Sequence, residues 1–344
     1  MGAVGDRAKG AELRGLSVDD RASVLDLAAA GDFAPLRYLA TFGLDVAGPE
    51  QRDRVGRILD GPGEHVVLAD GATLFGQASA TPVDDLSDHF GVPFHQVGPL
   101  LSTGSDPSVR SATVRALLDG LCEAVSGAEP ALLMLRIEAD DLGAMLGAED
   151  AGFRLRETSV TYVNDLERSG RNTATDLGDA VRLHRFGVDE PLPESTFEGI
   201  RGRASQVTQD HYHADPRLPD ELCDALYERV LDRGLRGEGS DCIVMRVGDD
   251  DRLQGFGTWR HWSELERYGV SMAGSAFGFR APGAPAGFLH EVAAFVCSTP
   301  ITGNRLLEWS TQATNFPMVN MMCRQPSIRF CRSSYVLHRW TEGE

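Results

Sequence analysis

The sequence predicts an α/β protein built as a tandem of two related units. Three observations carry that expectation. Short apolar strand patterns alternate with segments of helical spacing along the chain. The 344 residues suit two domains of ordinary size. The order strand, polar loop, helix also occurs twice. Leu132-Leu133 followed by Ala139-Asp140-Asp141 matches Leu306-Leu307 followed by Ala313-Thr314-Asn315, about 174 residues later. The expected units are 1–168 and 180–344, joined by a polar linker at Ser169–Asp179.

In the first half, Leu16–Asp32 is expected to be a helix capped by Ser17, and Asp45–Leu59 another. His65–Ala69 and Thr73–Ala78 are strands, with Asp70-Gly71 as the hairpin between them. Val97–Ser102 is a third strand. Ser108–Val125 is a helix, with Val109, Ala112, Val114, Leu117, Leu118 and Leu121 on its apolar positions. Ala131–Ile137 is a buried strand, Ala139–Ala151 a helix ended by Gly152-Phe153, and Val160–Val163 a strand. In the second half the strands are Ala180–His184, Cys242–Val247, Gln254–Trp262, Gly269–Phe279, the run from Leu306, and a closing strand at Ser334–Trp340. The helices are Pro193–Gln209, Pro219–Gly234, Pro285–Val296 and one capped by Asn315 with Pro317 in its first turn.

Composition excludes several functions. The net charge of −18 argues against a broad nucleic-acid surface, which needs clustered Lys and Arg. Lys9 is the one lysine, so a Schiff base or P-loop is excluded. Arginine in place of lysine, with abundant Ala and Gly, suits a GC-rich bacterial genome. No apolar run reaches the roughly 18–20 residues of a membrane span. The polar, Gly-rich start has no signal-peptide core, so a cytoplasmic protein is expected. The six cysteines include no C-x-x-C pair and have no zinc spacing, and no metal is expected. Asp249-Asp250-Asp251 reads as a solvated hairpin tip.

Thr311-Gln312-Ala313-Thr314-Asn315, the helix after it and Ser334-Tyr335-Val336-Leu337-His338-Arg339-Trp340 together resemble the C-terminal end of GNAT-fold acyltransferases. Tyr212-His213-Ala214-Asp215-Pro216-Arg217-Leu218-Pro219 with Leu226-Tyr227-Glu228 resembles the dTDP-amino-sugar (TDP-fucosamine-type) N-acetyltransferases of that family. The resemblance covers roughly the last 165 residues. It implies in each unit a mixed, mostly antiparallel sheet flanked by helices. It also implies an N-acyltransferase moving an acyl group from acetyl-CoA, or a related thioester, to a primary amine of a small polar metabolite such as an amino sugar.

The family's pyrophosphate motif, Q/R-x-x-G-x-G/A, falls on Arg280-Ala281-Pro282-Gly283-Ala284-Pro285. The implied donor contacts are Phe279, Arg280, Gly283, Ala284 and Asn315. Pro282 and Pro285 each remove an N–H that a phosphate would use. In the first half the matching window carries Asp106, which repels pyrophosphate, so that unit is expected to be a degenerate scaffold. The family's acid, a Tyr about seven residues after the Asn, corresponds to Met322 here, and the following Gly-Phe is replaced by Pro326-Ser327-Ile328. Candidates for catalysis are His213, Glu291 and Asn315, each weighed against a loop histidine, a solvated carboxylate and a helix cap. Candidates for substrate contact are Tyr212, Trp259, His261 and Gln312. The weakened donor motif leaves three readings open: acyl-CoA, an acyl carrier protein or aminoacyl-tRNA as donor, and a catalytically dead tandem that binds without turnover.

Overall fold

The structure is a computed structural model. It describes residues 11–31, 33–104, 106–167, 180–197, 210–248, 253–281, 284, 291–292, 295–296, 303–325 and 327–343. The chain separates into two units, 1–158 with 332–344 and 159–331.

In the first unit the described elements are β1 (Glu12–Gly15), α1 (Arg21–Ala29), α2 (Ala47–Asp60), β2 (Glu64–Asp70), β3 (Thr73–Pro82), α3 (Asp84–Phe90), β4 (Phe94–Ser102), α4 (Pro107–Val125), β5 (Leu132–Glu138), α5 (Leu142–Asp150) and the start of β6 (Arg154–Asp165). The helix at α4 forms where it does because Asp106 caps it, accepting from the N–H groups of Ser108 and Val109, with Pro107 in the first turn. Its stripe Val114, Leu117, Leu118 and Leu121 is fully buried against Val66, Ala78, Ala80, Leu133, Leu135 and Ile137 of the sheet. Each such side chain contributes about 1.5–3 kcal/mol of burial. On the other face Val24 and Ala28 of α1 and Val55 of α2 cover Val67 and Leu101. β4 and β5 run parallel from Phe94↔Leu132 to Val97↔Leu135 and pair no further.

The second unit holds β7 (Val181–Arg185), α6 (Asp220–Leu235), β8 (Cys242–Val247), β9 (Leu253–His261), α7 (Ser263–Glu266), β10 (Met272–Arg280), β11 (Leu306–Gln312), α8 (Phe316–Arg324) and the start of β12 (Ile328–Trp340). The helix expected at 193–209 shows a short 3-10 turn at Glu194–Phe197, and its remainder lies outside the described residues. Of the helix expected at 285–296, the residues described, 291–292 and 295–296, are helical. Apart from the parallel pairs β4/β5 and β10/β11, the described strand pairings are antiparallel. This is the mixed, mostly antiparallel sheet that the sequence resemblance implied.

The internal repeat is close. Leu132 and Leu306, Leu142 and Phe316, and Arg154 and Ile328 open matching elements, each pair 174 residues apart. The closing strands, however, are exchanged. In the first unit Ser334–Trp340 of β12 pairs with Glu138–Leu132 of β5, giving the order β1-β2-β3-β4-β5-β12. In the second, Ser159–Asp165 of β6 pairs with Gln312–Leu306 of β11, giving β6-β11-β10-β9-β8-β7. The sequence reading placed Ser334–Trp340 at the close of the second unit. A strand's alternation fixes which face it buries but not which edge it joins, and the two strands are alike enough to trade places.

Candidate functional site

The second unit has an opening in its sheet. β10 and β11 pair only at Met272↔Leu306, Ala273↔Leu307 and Gly274↔Glu308. Beyond that, β10 bulges between Ser275 and Phe277 and follows β9 to Arg280, while β11 stays with β6. Leu307 and Trp309 point into the apolar layer that also holds Val292, Val296, Met321 and Met322. Alternation therefore turns Glu308, Ser310 and Gln312 to the opposite face.

Glu308 sits at the last paired position, 9% exposed. Gly274 is its neighbour on β10, and a Cβ there would come within 2.9 Å of the Trp262 indole. The missing side chain at Gly274 thus leaves room for the Trp262 indole over this position of β10. Along the same face, Ser310 Oγ and Thr161 Oγ1 are 3.0 Å apart, and Gln312 is paired with Ser159. The carboxylate of Glu308, the hydroxyls of Ser310, Thr161 and Ser159 and the amide of Gln312 therefore share one face of the sheet on the β11 side of the opening. Glu308 and Gly274 were not among the residues singled out from the sequence. The available signal was the alternation in Leu307-Glu308-Trp309-Ser310, which places a carboxylate on the face opposite two core residues.

Asn315 caps α8. Its Oδ1 accepts from the N–H of Met318 at 3.4 Å, and its Nδ2 donates to Thr311 Oγ1 at 3.0 Å. The amide is thus engaged at both ends inside its own loop. Arg280 donates from Nη2 to the carbonyl of Ala284 at 2.6 Å, and the Ala284 N–H bonds the carbonyl of Ala281. The described part of this turn is therefore self-bonded, and Gly283 lies outside the described residues. Phe279 is buried in a core cluster with Phe256 and Met245 rather than at the opening. Glu291 forms an ion pair with Arg246 Nε at 3.0 Å, which ties its helical segment to β8.

Four other expected site residues are engaged within the fold. Trp259 is 1% exposed and meets Trp309 edge-to-face at 5.4 Å, which makes it core. His213 Nδ1 lies 2.5 Å from Asp210 Oδ2, and its Nε2 lies 3.3 Å from Asp224 Oδ1. Burial alone would lower its pKa, but the bonds and charges of Asp210 and then Asp224 outweigh burial and raise it. Both ring nitrogens of His213 are thus engaged by carboxylates, and the shift favours the charged form, which suits a general base poorly. Tyr212 shares this turn, its N–H bonded to Asp210 and its ring 3.9 Å from that of His211. His261 is set likewise, between Asn304 Oδ1 at 2.7 Å and Glu266 Oε1 at 2.9 Å. Its pKa too is raised despite burial, by those bonds.

At the expected position of the family's acid, Met322 is buried in the core. Tyr162 comes to α8 from β6. Its hydroxyl is 3.7 Å from Cys323 Sγ, and its pKa is pushed up to about 12 by burial and then by that contact.

The first unit's parted strands are closed off. Arg110 on α4 donates from Nε to Asp141 Oδ1 at 2.6 Å, from Nη2 to the same carboxylate, and from Nη1 to Ser102 Oγ at the end of β4. Asp141 also caps α5 through the N–H of Ala144. Both ionic groups are buried, and the guanidinium lies 4.6 Å from the Phe33 ring. At Gly143 a Cβ would be 2.8 Å from Arg110 Cβ, so α5 presses directly on the first turn of α4. The amides of Ser108 and Val109, which an anion would need, are bonded to Asp106.

Among the described residues no group of three or more His, Cys, Asp or Glu is placed to hold a metal ion. Asp249-Asp250-Asp251 lies outside them. No described helix is long and apolar enough to cross a membrane.

No protein-family model matches the sequence, and no curated protein does. Solved structures do match the fold. A GCN5-related N-acetyltransferase from Sphaerobacter thermophilus is 14% identical, with a TM-score of 0.55 over 97% of this chain and 96% of that one. A tandem GNAT protein from the clavulanic acid biosynthesis pathway is 17% identical, with a TM-score of 0.50 over 97% of this chain and 99% of that one. A GCN5-related glucosamine N-acetyltransferase region of a fungal multi-domain GH3 β-N-acetylglucosaminidase is 15% identical, with a TM-score of 0.53 over 96% of this chain and 38% of that one.

Proposed function

We propose that the second unit is an N-acyltransferase that moves an acyl group from a thioester to the primary amine of a small polar metabolite. The first unit is its scaffold. The observation that carries this reading is the parting of β10 and β11 after Gly274↔Glu308, with a buried carboxylate at its edge. An acyl-pantetheine arm laid in the opening meets the β10 edge, where backbone groups no longer ladder with β11. These are the donors for the thioester carbonyl as it becomes an oxyanion. Glu308 takes the proton from the amine as nitrogen attacks the carbonyl carbon. The C–S bond then breaks, and the thiolate leaves. A thiol pKa near 8.5 makes it a good leaving group, so a dedicated acid at the Met322 position is not required.

Ser310, Thr161, Ser159 and Gln312 suit a hydroxylated acceptor. A nucleotide-linked amino sugar is the acceptor class that the Tyr212–Pro219 resemblance favours. Free thiols at Cys122, Cys223, Cys242, Cys323 and Cys331 suit a reducing, cytoplasmic setting. The test is thiol release from acetyl-CoA over a panel of amines that includes amino sugars and their nucleotide conjugates. Turnover with an amine, lost in Glu308→Gln, is the expected result. No thiol release with any amine, from acetyl-CoA or from acetyl-pantetheine, overturns the reading.

A further inference from the structure

The repeat allows matched segments to be compared residue for residue. Leu135–Leu166 carries seven carboxylates and three arginines. The equivalent Trp309–Trp340, 174 residues on, carries no carboxylate and four arginines. In a chain of net charge −18, the part of that segment in the second unit, 309–331, carries Arg324 and Arg329 and no carboxylate, while Arg332 and Arg339 belong to the first unit.

Within the second unit this segment presents a definite surface. Phe316, Asn320, Cys323 and Arg324 form the exposed stripe of α8, and Arg329 and Phe330 are exposed at the start of β12. Tyr162 joins the two, with its ring 5.7 Å from that of Phe330 and its hydroxyl 3.7 Å from Cys323 Sγ. Phe316 and Phe330 are 66% and 59% exposed, and Phe316 directly follows Asn315 at the mouth of the opening. Two exposed aromatics beside two arginines, with no acid in that segment, form a docking patch for an acidic partner. Free coenzyme A would instead need a phosphate cradle, and the window at 280–285 has prolines at 282 and 285 where two N–H donors would stand.

We infer that the donor is protein-borne: an acyl group on the phosphopantetheine arm of an acidic carrier protein, docked on Phe316, Arg324, Arg329 and Phe330. This rests on the acyltransferase reading above and specifies its donor. The chemistry balances as before. Nitrogen bonds to the acyl carbon, the C–S bond breaks, and the amine's proton passes to Glu308 while the thiolate remains on the carrier's arm.

Three donors test it with one amine acceptor: acetyl-pantetheine, acetyl-CoA, and an acetylated holo acyl carrier protein of bacterial fatty-acid synthesis. The expected kcat/KM is at least about tenfold higher for the carrier than for acetyl-pantetheine, the order of gain that charge-matched encounter supplies. Arg324→Glu combined with Arg329→Glu should remove that gain and leave acetyl-pantetheine within about twofold of wild type, since neither residue touches the arm. The unchanged small donor also shows that the variant is folded. Equal rates for carrier and pantetheine, a clear preference for acetyl-CoA, or equal losses for all donors on charge reversal would overturn the inference and leave the acyltransferase reading standing. No turnover with any of the three removes both.

Discussion

Glu308 occupies the position where a base is useful, at the last strand pair before the opening. Glu308→Gln keeps the shape and should preserve the melting temperature, while kcat falls by roughly 10²–10⁴, the usual range for a lost general base. A fall in KM alone would move the base elsewhere. Asn315 makes a contrasting case. Aspartate caps as well as asparagine, and the Thr311 hydroxyl can turn to donate to it. Asn315→Asp should therefore leave stability unchanged. An activity loss of about tenfold or more would show that the amide also donates to the acyl arm. His213 gives a pH signature. Its folded pKa is raised, so its ion pairs contribute in full below about pH 6.5 and are lost as pH rises through the folded value. Thermal melts should show His213→Gln costing most near about pH 6 and least near about pH 9. A penalty constant across that range would mean that the ring is neutral. At this scale the sequence shows residue types but not their partners. Asp210 and Asp224 lie three and eleven positions from His213, and only the folded turn brings both carboxylates to the ring.

The strands and helices themselves were largely legible. The predicted helix at Ser108–Val125 is α4, the Asp70-Gly71 hairpin joins β2 and β3, and Asn315 caps α8 as read. β1 and α3 were missed because four residues and seven residues leave too little periodicity to detect. The closing of the first unit's gap was half visible. Asp106 stood out as hostile to phosphate, but the bond between Arg110 and Asp141, 31 positions apart, has no local signature. Removing one member of a buried pair costs about 3–5 kcal/mol, so Arg110→Ala should lower stability to urea by that amount. Arg110→Met combined with Asp141→Asn should recover most of it, because no unpaired charge remains and the cap survives. Thiol release by the second unit should not change. A loss of turnover in a folded double variant would show that the first unit takes part in donor handling.

The exchange of β6 and β12 was the least legible feature, since nothing in either strand names its edge. It makes the contiguous halves poor folding units. A fragment of residues 1–168 lacks the strand that covers β5, and a fragment of residues 180–344 lacks the strand that covers β11. Expressed apart, both should aggregate through their open edges; expressed together, they should elute as one complex on size exclusion. Independent, soluble 1–168 would refute the exchange. The same arrangement imposes an order on synthesis. The first unit's last strand leaves the ribosome about 200 residues after β5, which at 5–20 residues per second is a wait of roughly 10–40 s. During that wait the edge of β5 is open on a nascent chain, with Leu132 to Leu135 buried in the finished sheet and only Arg136 exposed on it. A single charge in a run of apolar residues is a gatekeeper against stray pairing. Newly made protein should therefore depend on chaperones until β12 has emerged, and truncation before Ser334 should damage the half of the protein that was translated first.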